Sequence, residues 1–229
     1  MLREETVEKG TVDLIRKLLA DKHFSSFYLV GGTALALRIG HRRSVDIDLF
    51  TASDFNSNNI SKYLISDYRA QRVQTINNGV FSFIEGVKVD ILAHKYPLVD
   101  KAQEFEGIRM LSLKDIGAMK LNAIYGNGSR LKDFIDMYAL LEIYPLRELL
   151  AASEKKYPEN NIAIVKQALV HHQDIDFSVR IDYINREVKW KAIEDRLKKA
   201  FHNPQMTFGL AEKARRQEET RGRRKRPGL

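Results

Sequence analysis

One stretch of 23 residues, YLVGGTALALRIGHRRSVDIDLF at positions 28–50, constrains the fold of this chain more than any other. It opens on a short apolar run of the length typical of a buried strand. Gly31 and Gly32 follow at once, and paired glycines let the backbone turn sharply and approach a ligand closely. Strong helix formers occupy 34–38, with Thr33 as the predicted cap and Gly40 as the predicted stop. The stretch therefore predicts a strand, a glycine turn and a short helix.

The end of this stretch predicts a second strand that carries two acidic side chains. Alternation along a strand places Val45, Ile47 and Leu49 on one face and Asp46 and Asp48 on the other, about 7 Å apart. Two neighbouring carboxylates repel each other and favour a counter-cation, and carboxylate oxygens suit Mg²⁺. A D-x-D pair alone is also typical of a solvated sheet face, but the glycine turn in front of this pair favours a phosphate and metal site.

A third carboxylate lies on a later predicted strand. Three strand-like runs are separated by hairpin turns at 77–79 and 85–86; the runs are 72–76, 80–84 and 87–92. In the last run Lys88 and Asp90 share one face, opposite three β-branched residues. Asp90 is either an exposed residue of an edge strand or a carboxylate that needs a partner. The residues alone leave both interpretations open.

The second half of the chain reads as helices. Ser112 and Asp115 form a capping box for a helix to about Tyr125, and a second helix is predicted at about 129–144, before Pro145. Asp133 and Asp136 are neighbours on this second helix and can orient a basic side chain. Further helices are predicted at 146–152, 162–170 and 188–201, after one at about 4–21 near the start of the chain.

GGTALALRIGHRRSVDIDLF resembles the nucleotidyltransferase superfamily with the polymerase-β-like core, and more narrowly the AbiEii/AbiGii toxin family of nucleotidyltransferases. MKLNAIYGNGSRLKDFIDMYALL extends the resemblance, because members carry a Lys-apolar-x-Ala element, here from Lys120, and a basic-Asp-x-x-Asp element, here from Lys132. Members commonly have an arginine in the loop between these elements. This chain has Asn127 there, and Arg130 is the alternative source of that charge.

The resemblance implies an α/β (α+β) fold, in which a polymerase-β-like nucleotidyltransferase core with a small mixed sheet precedes a helical C-terminal part. It implies two Mg²⁺ ions held by Asp46, Asp48 and Asp90, of which Asp90 also deprotonates the acceptor hydroxyl. Lys120 is the fourth implied catalytic residue. The implied NTP-binding residues are Gly31, Gly32, Thr33, Arg43, Ser44, Lys132 and Asp136.

The activity implied by the resemblance is transfer of an NMP from an NTP to an acceptor hydroxyl, with tRNA or another RNA as the leading acceptor. The same resemblance implies a bacterial toxin with a cognate antitoxin as partner. Two alternatives stay open. One is a small-molecule, antibiotic-type nucleotidyltransferase, and the other is a domain that binds a nucleotide or a partner protein without turnover.

Composition sets the remaining expectations. The 229 residues include no cysteine, which excludes a disulfide and a thiolate metal site. No apolar run has membrane-spanning length and the first residues do not read as a signal peptide, so we expect a cytoplasmic protein with no membrane partner. We expect a core at 1–111, a helical subdomain at 112–210 and a basic tail at 211–229. The tail supplies eight Lys or Arg and three Glu to a net charge of +8, so it is either a phosphate-binding segment or a disordered end.

Overall fold

A computed structural model describes residues 1–184 and 187–209 of the chain. Within these residues the strands are β1 (Tyr28–Val30), β2 (Ile47–Thr51), β3 (Gln71–Ile76), β4 (Gly79–Ile84), β5 (Val87–Ala93), β6 (Gln103–Phe105) and β7 (Ile108–Met110). The helices are α1 (Lys9–Ala20), α2 (Gly31–Ile39), α3 (Ser57–Tyr68), α4 (Leu113–Gly126), α5 (Leu131–Leu140), α6 (Leu146–Lys156), α7 (Ile162–Ala168) and α8 (Trp190–His202).

The strands form one mixed sheet in the order β3-β4-β5-β2-β1-β7-β6. β2 lies near the middle, antiparallel to β1 and parallel to β5, and β1 is also parallel to β7. The predicted hairpin turns connect β3 to β4 and β4 to β5, and Asn78, Glu85 and Gly86 take the positive φ angles that such tight turns need. The predicted mixed sheet is therefore confirmed.

Helices cover the sheet and extend it into a helical layer. α1 turns its apolar side to β7, burying Leu14, Ile15 and Leu18, while α4 packs against α5, α6 and α7. Ser112 caps α4 as predicted, since its Oγ accepts from the backbone N–H of Asp115 at 3.0 Å. The helical C-terminal part is thus confirmed. No helix in the described ranges has the length and apolar content needed to cross a bilayer.

A buried ion pair joins the helical part to the loop that precedes β6. Lys156 Nζ lies 2.9 Å from Asp115 Oδ1, and both side chains are almost completely buried. The Asp115 carboxylate also accepts from the backbone N–H groups of Val99 and Asp100. Because each charge is both paired and hydrogen-bonded, this contact fixes α4 and α6 against the loop.

Several sequence predictions need correction. α1 begins at Lys9 rather than near residue 4, because Glu4–Thr6 form a separate 3₁₀ turn. The sequence predicts only a short helix at 60–65, where α3 spans Ser57–Tyr68. It does not predict β6, because the three residues of this strand carry no clear alternation. The domain boundary near 111 and 112 stays a prediction, and the predicted basic tail lies outside the described residues.

Two errors fall in the central stretch. Thr33 does not cap α2, because that helix begins at Gly31 and Thr33 is buried within its first turn. Val45 does not point into the core, because β2 starts only at Ile47 and the Val45 side chain is 55% exposed. Asp46 therefore lies just before the strand, whereas Asp48 lies within it.

Candidate active site

Asp48 lies at the centre of the sheet and is flanked by the two neighbouring strands. In the register of β1 with β2 it faces Val30, and in the register of β2 with β5 it faces Asp90. Parallel pairing of β2 with β5 therefore brings together two carboxylates that are 42 positions apart in the sequence. The rest of the alternation predicted for β2 is confirmed, because Ile47 and Leu49 are completely buried.

The environment of Asp48 disfavours the negative charge of its carboxylate. Burial, and then the neighbouring Asp90 carboxylate, raise the pKa of Asp48 to about 6. One oxygen of Asp90 accepts from Lys88 Nζ at 2.5 Å, while its other oxygen, Oδ1, is buried and has no hydrogen-bond partner among the residues that the structure describes. An unpaired buried carboxylate oxygen is costly, so the site has capacity for a further cation or proton.

These groups fit a hard divalent cation. Asp48 and Asp90 supply carboxylate oxygens, which are the ligands that Mg²⁺ prefers. A bound Mg²⁺ would also pair with the unsatisfied Asp90 oxygen and offset the repulsion between the two carboxylates. In the part of the chain that the structure describes, no three His, Asp or Glu side chains are already gathered into a metal site. The set therefore fits a cation held by one or two carboxylates together with substrate phosphates, which is the usual environment of Mg²⁺.

The glycine turn lies directly against Asp48. Gly31 has a φ of +71°, and a Cβ added at Gly31 would stand 2.1 Å from Asp48 Oδ2. Only glycine therefore tolerates both this backbone conformation and this approach. α2 begins here without a side-chain cap, so the N–H groups of its first turn are available to an anion.

The loop between α2 and β2 is tied to that first turn. The Thr33 hydroxyl donates to the backbone carbonyl of Asp46 and lies 2.9 Å from Ser44 Oγ. A Cβ at Gly32 would stand 3.2 Å from Ser44 Oγ and 2.5 Å from Arg42 Nη2. Close packing at Gly32 and the contacts of Thr33 thus fix the position of Asp46. The role of Thr33 in nucleotide binding stays a prediction.

Lys120 belongs to a buried ion-pair network that joins α4, α5 and the loop before β2. Its Nζ lies 2.7 Å from Asp133 Oδ1 and 2.7 Å from Asp136 Oδ2. The Arg42 guanidinium binds the Asp136 carboxylate with two nitrogens, at 2.7 and 3.0 Å, and His41 Nε2 lies 2.7 Å from the same carboxylate. Although burial opposes the charge of Lys120, Asp136 and then Asp133 raise the pKa of Lys120, so this lysine stays protonated.

Two cavities are lined by seven of the eleven predicted site residues. A cleft of about 260 Å³ between the sheet and α4 is lined by Gly31, Gly32, Asp48 and Lys120. A neighbouring cavity of about 220 Å³ is lined by Arg43, Ser44 and Lys132. Asp46 and Asp90 line neither, and Asp136 is buried beneath Lys120. The structure therefore brings the glycine turn, Asp48 and Lys120 into one cleft and places Arg43, Ser44 and Lys132 in a separate cavity.

Sequence reasoning missed residues of the ion-pair network around Lys120 and of the cleft. Arg42 and His41 were not singled out, although the HRRS run before the acidic pair carried the only available signal. Phe50, His94 and Tyr157 form an aromatic end of the cleft, with the His94 ring 5.3 Å from Phe50 and 5.7 Å from Tyr157. Their assembly depends on tertiary contacts that no local pattern reveals. Arg130, the predicted substitute for the loop arginine, does line the cleft, with its Nε 3.6 Å from Asp133 Oδ2.

The sequence profile of the family described as nucleotidyl transferase AbiEii toxin, type IV TA system, matches residues 13–163. An uncharacterised protein of Aquifex aeolicus strain VF5 is 31% identical to this chain over 199 residues, which cover 84% of this chain and 95% of that protein. The matched range 13–163 includes every residue that lines the cleft.

Two solved structures from Helicobacter pylori share the fold at low identity. One, assigned as a nucleotidyltransferase, has a TM-score of 0.55 and 17% identity, with 86% of this chain and 92% of that chain covered. The other, JHP933, has a TM-score of 0.52 and 18% identity, with 95% and 96% covered. The predicted polymerase-β-like nucleotidyltransferase fold is thereby confirmed. The chain belongs to the AbiEii nucleotidyltransferase toxin family and is a nucleotidyltransferase.

Proposed function

We propose that this protein transfers an NMP from an NTP to a hydroxyl of an RNA acceptor, such as a tRNA, in a Mg²⁺-dependent reaction. We further propose that it is the toxin of a bacterial toxin–antitoxin pair and acts in the cytoplasm. One observation carries the proposal of chemistry. The parallel pairing of β2 with β5 sets Asp48 beside Asp90, directly below the glycine turn that opens α2.

Asp48 and Asp90, with Asp46 before the strand, would hold the Mg²⁺ ions. When bound, two such ions offset negative charge on the triphosphate and on the attacking and leaving oxygens. The first-turn N–H groups of α2 face the same point and would bind phosphate oxygens. Gly31 allows this approach because a side chain there would fill the space beside Asp48.

The acceptor hydroxyl must lose a proton as its oxygen attacks the α-phosphorus. Asp90 Oδ1 is buried and accepts no hydrogen bond from the described part of the chain, so it is the atom that we assign to receive this proton. The bond from the α-phosphorus to the bridging oxygen breaks as the new ester bond forms, and pyrophosphate leaves with the electron pair. Asp90 then returns its proton to solvent.

Lys120 supports this chemistry from the wall of the cleft. Its charge is held in place by Asp133 and Asp136, and Arg42 and His41 fix Asp136 from the other side. A preorganised cation of this kind stabilises negative charge without reorganisation during the reaction. We assign Lys120 to the developing charge on the pyrophosphate.

RNA is proposed as the acceptor because the chain is basic. It has a net charge of +8, and a surplus of Lys and Arg supplies the sequence-independent part of affinity for a phosphate backbone. A small-molecule acceptor would not need this surplus. A binding domain without turnover would not need Asp90 in register with Asp48.

The test is incorporation of an α-³²P-labelled NTP, each of the four supplied in turn with Mg²⁺, into total RNA or into aminoglycosides. We expect labelled RNA with wild-type protein and none with the Asp48→Asn, Asp90→Asn double variant. The exposed Asp54→Asn is the matched control and should label as wild type does. Label only on the small molecules would contradict the RNA acceptor, and no label on any acceptor would contradict the proposed transfer reaction.

A further inference from the structure

The second cavity beside the cleft, which we term the basic cavity, is lined by residues from four parts of the chain. These residues are Thr6, Glu8, Arg42, Arg43, Ser44, Val45, Lys132, Arg180, Ile181 and Asp182. The segment that contains Asp182 is attached to the loop before β2, because the backbone N–H of Arg43 donates to the Asp182 carbonyl at 2.7 Å. The cavity is therefore a defined concavity of the fold.

Two of its four basic side chains have no counter-charge within residues 1–184 and 187–209. Arg42 is committed to Asp136, and Arg43 makes a long contact of 3.5 Å with Asp182, in which both side chains are exposed. Lys132 and Arg180 form no ion pair with any residue in the ranges 1–184 and 187–209. The cavity therefore presents positive charge that the described part of the protein does not neutralise.

The place of Lys132 in its helix strengthens this point. It is the second residue of α5, where the positive end of the helix dipole makes a cation unfavourable. Helix stability would favour an acidic residue at this position. Lys132 and the α5 N-terminus together create a positive potential at the cavity, which is the environment that attracts a phosphate.

The basic cavity and the catalytic cleft share one wall. Ser44 lines the cavity and lies 2.9 Å from the Thr33 hydroxyl in the first turn of α2. Val45 lines it as well, is 55% exposed, and directly precedes Asp46 in the chain. A group bound in the basic cavity would thus lie next to the carboxylates but on the other side of the loop from the glycine turn.

We propose that the basic cavity binds a backbone phosphate of the acceptor RNA, so that the strand crosses Ser44 and Val45 and presents its hydroxyl at Asp90. This assignment rests on the proposed function, because it takes RNA as the acceptor. The triphosphate has a different site in the proposed function, at the uncapped first turn of α2 in the cleft. The Arg42–Asp136 pair also separates the two spaces, since Arg42 lines the cavity and Asp136 lies beneath Lys120.

The test uses the charge-reversed double variant Lys132→Glu, Arg180→Glu. Both side chains are outside the core, and a glutamate in the first turn of α5 suits the helix dipole, so the variant should fold. The matched control is Lys62→Glu, Lys101→Glu, which makes the same change of charge at two exposed lysines that line neither space. Binding of a fluorescein-labelled single-stranded RNA is measured across a salt series, and binding of a fluorescent non-hydrolysable ATP analogue with Mg²⁺ is measured alongside it.

We expect the double variant to bind RNA at least tenfold more weakly than wild type. The slope of log affinity against log salt concentration should be smaller by about 1.4, because each of the two lost phosphate contacts contributes about 0.7 to that slope. Its affinity for the nucleotide analogue should match that of wild type, because Lys132 lines the basic cavity and not the cleft; this assignment replaces the nucleotide contact that the resemblance implies for Lys132. The control should retain both affinities. Loss of nucleotide affinity with unchanged RNA affinity would overturn the assignment and would indicate that the basic cavity binds the triphosphate.

Failure of this inference can be told apart from failure of the proposed function. If wild-type protein labels RNA and the double variant binds RNA as tightly as wild type does, the cavity assignment alone is overturned. If wild-type protein neither binds nor labels RNA, the RNA acceptor is wrong and the cavity assignment falls with it. Equal weakening by the control variant would also overturn it, because the effect would then come from overall charge.

Discussion

Asp48→Asn should make the folded protein more stable while abolishing its activity. The Asp48 carboxylate is buried beside Asp90, and its negative charge is disfavoured first by burial and then by that neighbour. Asparagine has nearly the same shape and carries no charge. The substitution therefore removes an unfavourable charge without opening a cavity, and it also removes a ligand that the proposed Mg²⁺ site needs.

The size of the gain follows from the pKa of Asp48, which is raised from 3.8 to about 6. A carboxyl group with a raised pKa binds its proton more tightly in the folded state than in the unfolded state, so its ionisation lowers stability as the pH rises. The loss is complete above pH 6 and disappears below pH 4. The difference in pKa corresponds to about 3 kcal/mol, which is an upper limit for the gain in Asp48→Asn at pH 8.

The assay is urea unfolding at pH 8, pH 6 and pH 4.5 in EDTA, followed by the same series with Mg²⁺ at pH 8. We expect the advantage of Asp48→Asn to be largest at pH 8 and to shrink toward pH 4.5. Mg²⁺ should stabilise wild type but not the variant, because only the native metal site links binding to folding. The exposed Asp54→Asn should show no such gain. A variant that is less stable than wild type at pH 8, or equally stabilised at every pH, would refute the reasoning.

Three further predictions concern the same cleft. Gly31→Ala should abolish binding of a fluorescent NTP analogue, because the added Cβ would collide with Asp48. The control is Gly86→Ala, at a similar positive φ with open space around it, which should only lower the free energy of unfolding by about 1 kcal/mol in thermal unfolding. Equal NTP affinity in the two variants would contradict this. Lys120→Met should lower the unfolding free energy by about 3 kcal/mol and abolish transfer, since it leaves buried carboxylates short of a cation. Lys88→Met should tighten Mn²⁺ binding in calorimetry about fivefold. The Lys88–Asp90 ion pair contributes about 1 kcal/mol, which the metal ion must overcome in wild type but not in the variant. Unchanged Mn²⁺ affinity would exclude that competition.

The two carboxylates and the glycine turn of the site could be predicted from the sequence, because both depend on local patterns. Alternation in β2 and β5 placed Asp48 and Asp90 on polar faces, and paired glycines predicted the close approach at α2. Val45 was placed wrongly because alternation does not reveal the residue at which a strand begins. That position is set by the contacts of Thr33 with Ser44 and Asp46.

The network around Lys120 was beyond sequence reasoning because it depends on contacts far apart in the chain. Asp136 was expected at the nucleotide, but it is buried and receives Arg42 from a loop 94 positions away. Neither arginine of the HRRS run is marked by any local pattern as the buried one. The division of predicted contacts between the cleft and the basic cavity is equally a property of the packed fold.

The most direct test of the central claim is a crystal structure of the protein with Mn²⁺ and a non-hydrolysable NTP analogue, with the metal located by anomalous scattering. We predict a manganese peak bound by Asp48 and Asp90, and phosphate oxygens within hydrogen-bond distance of the N–H groups at Gly31 and Gly32. A bound analogue with its triphosphate away from the glycine turn, or a manganese peak that leaves Asp48 and Asp90 without metal, would contradict the account.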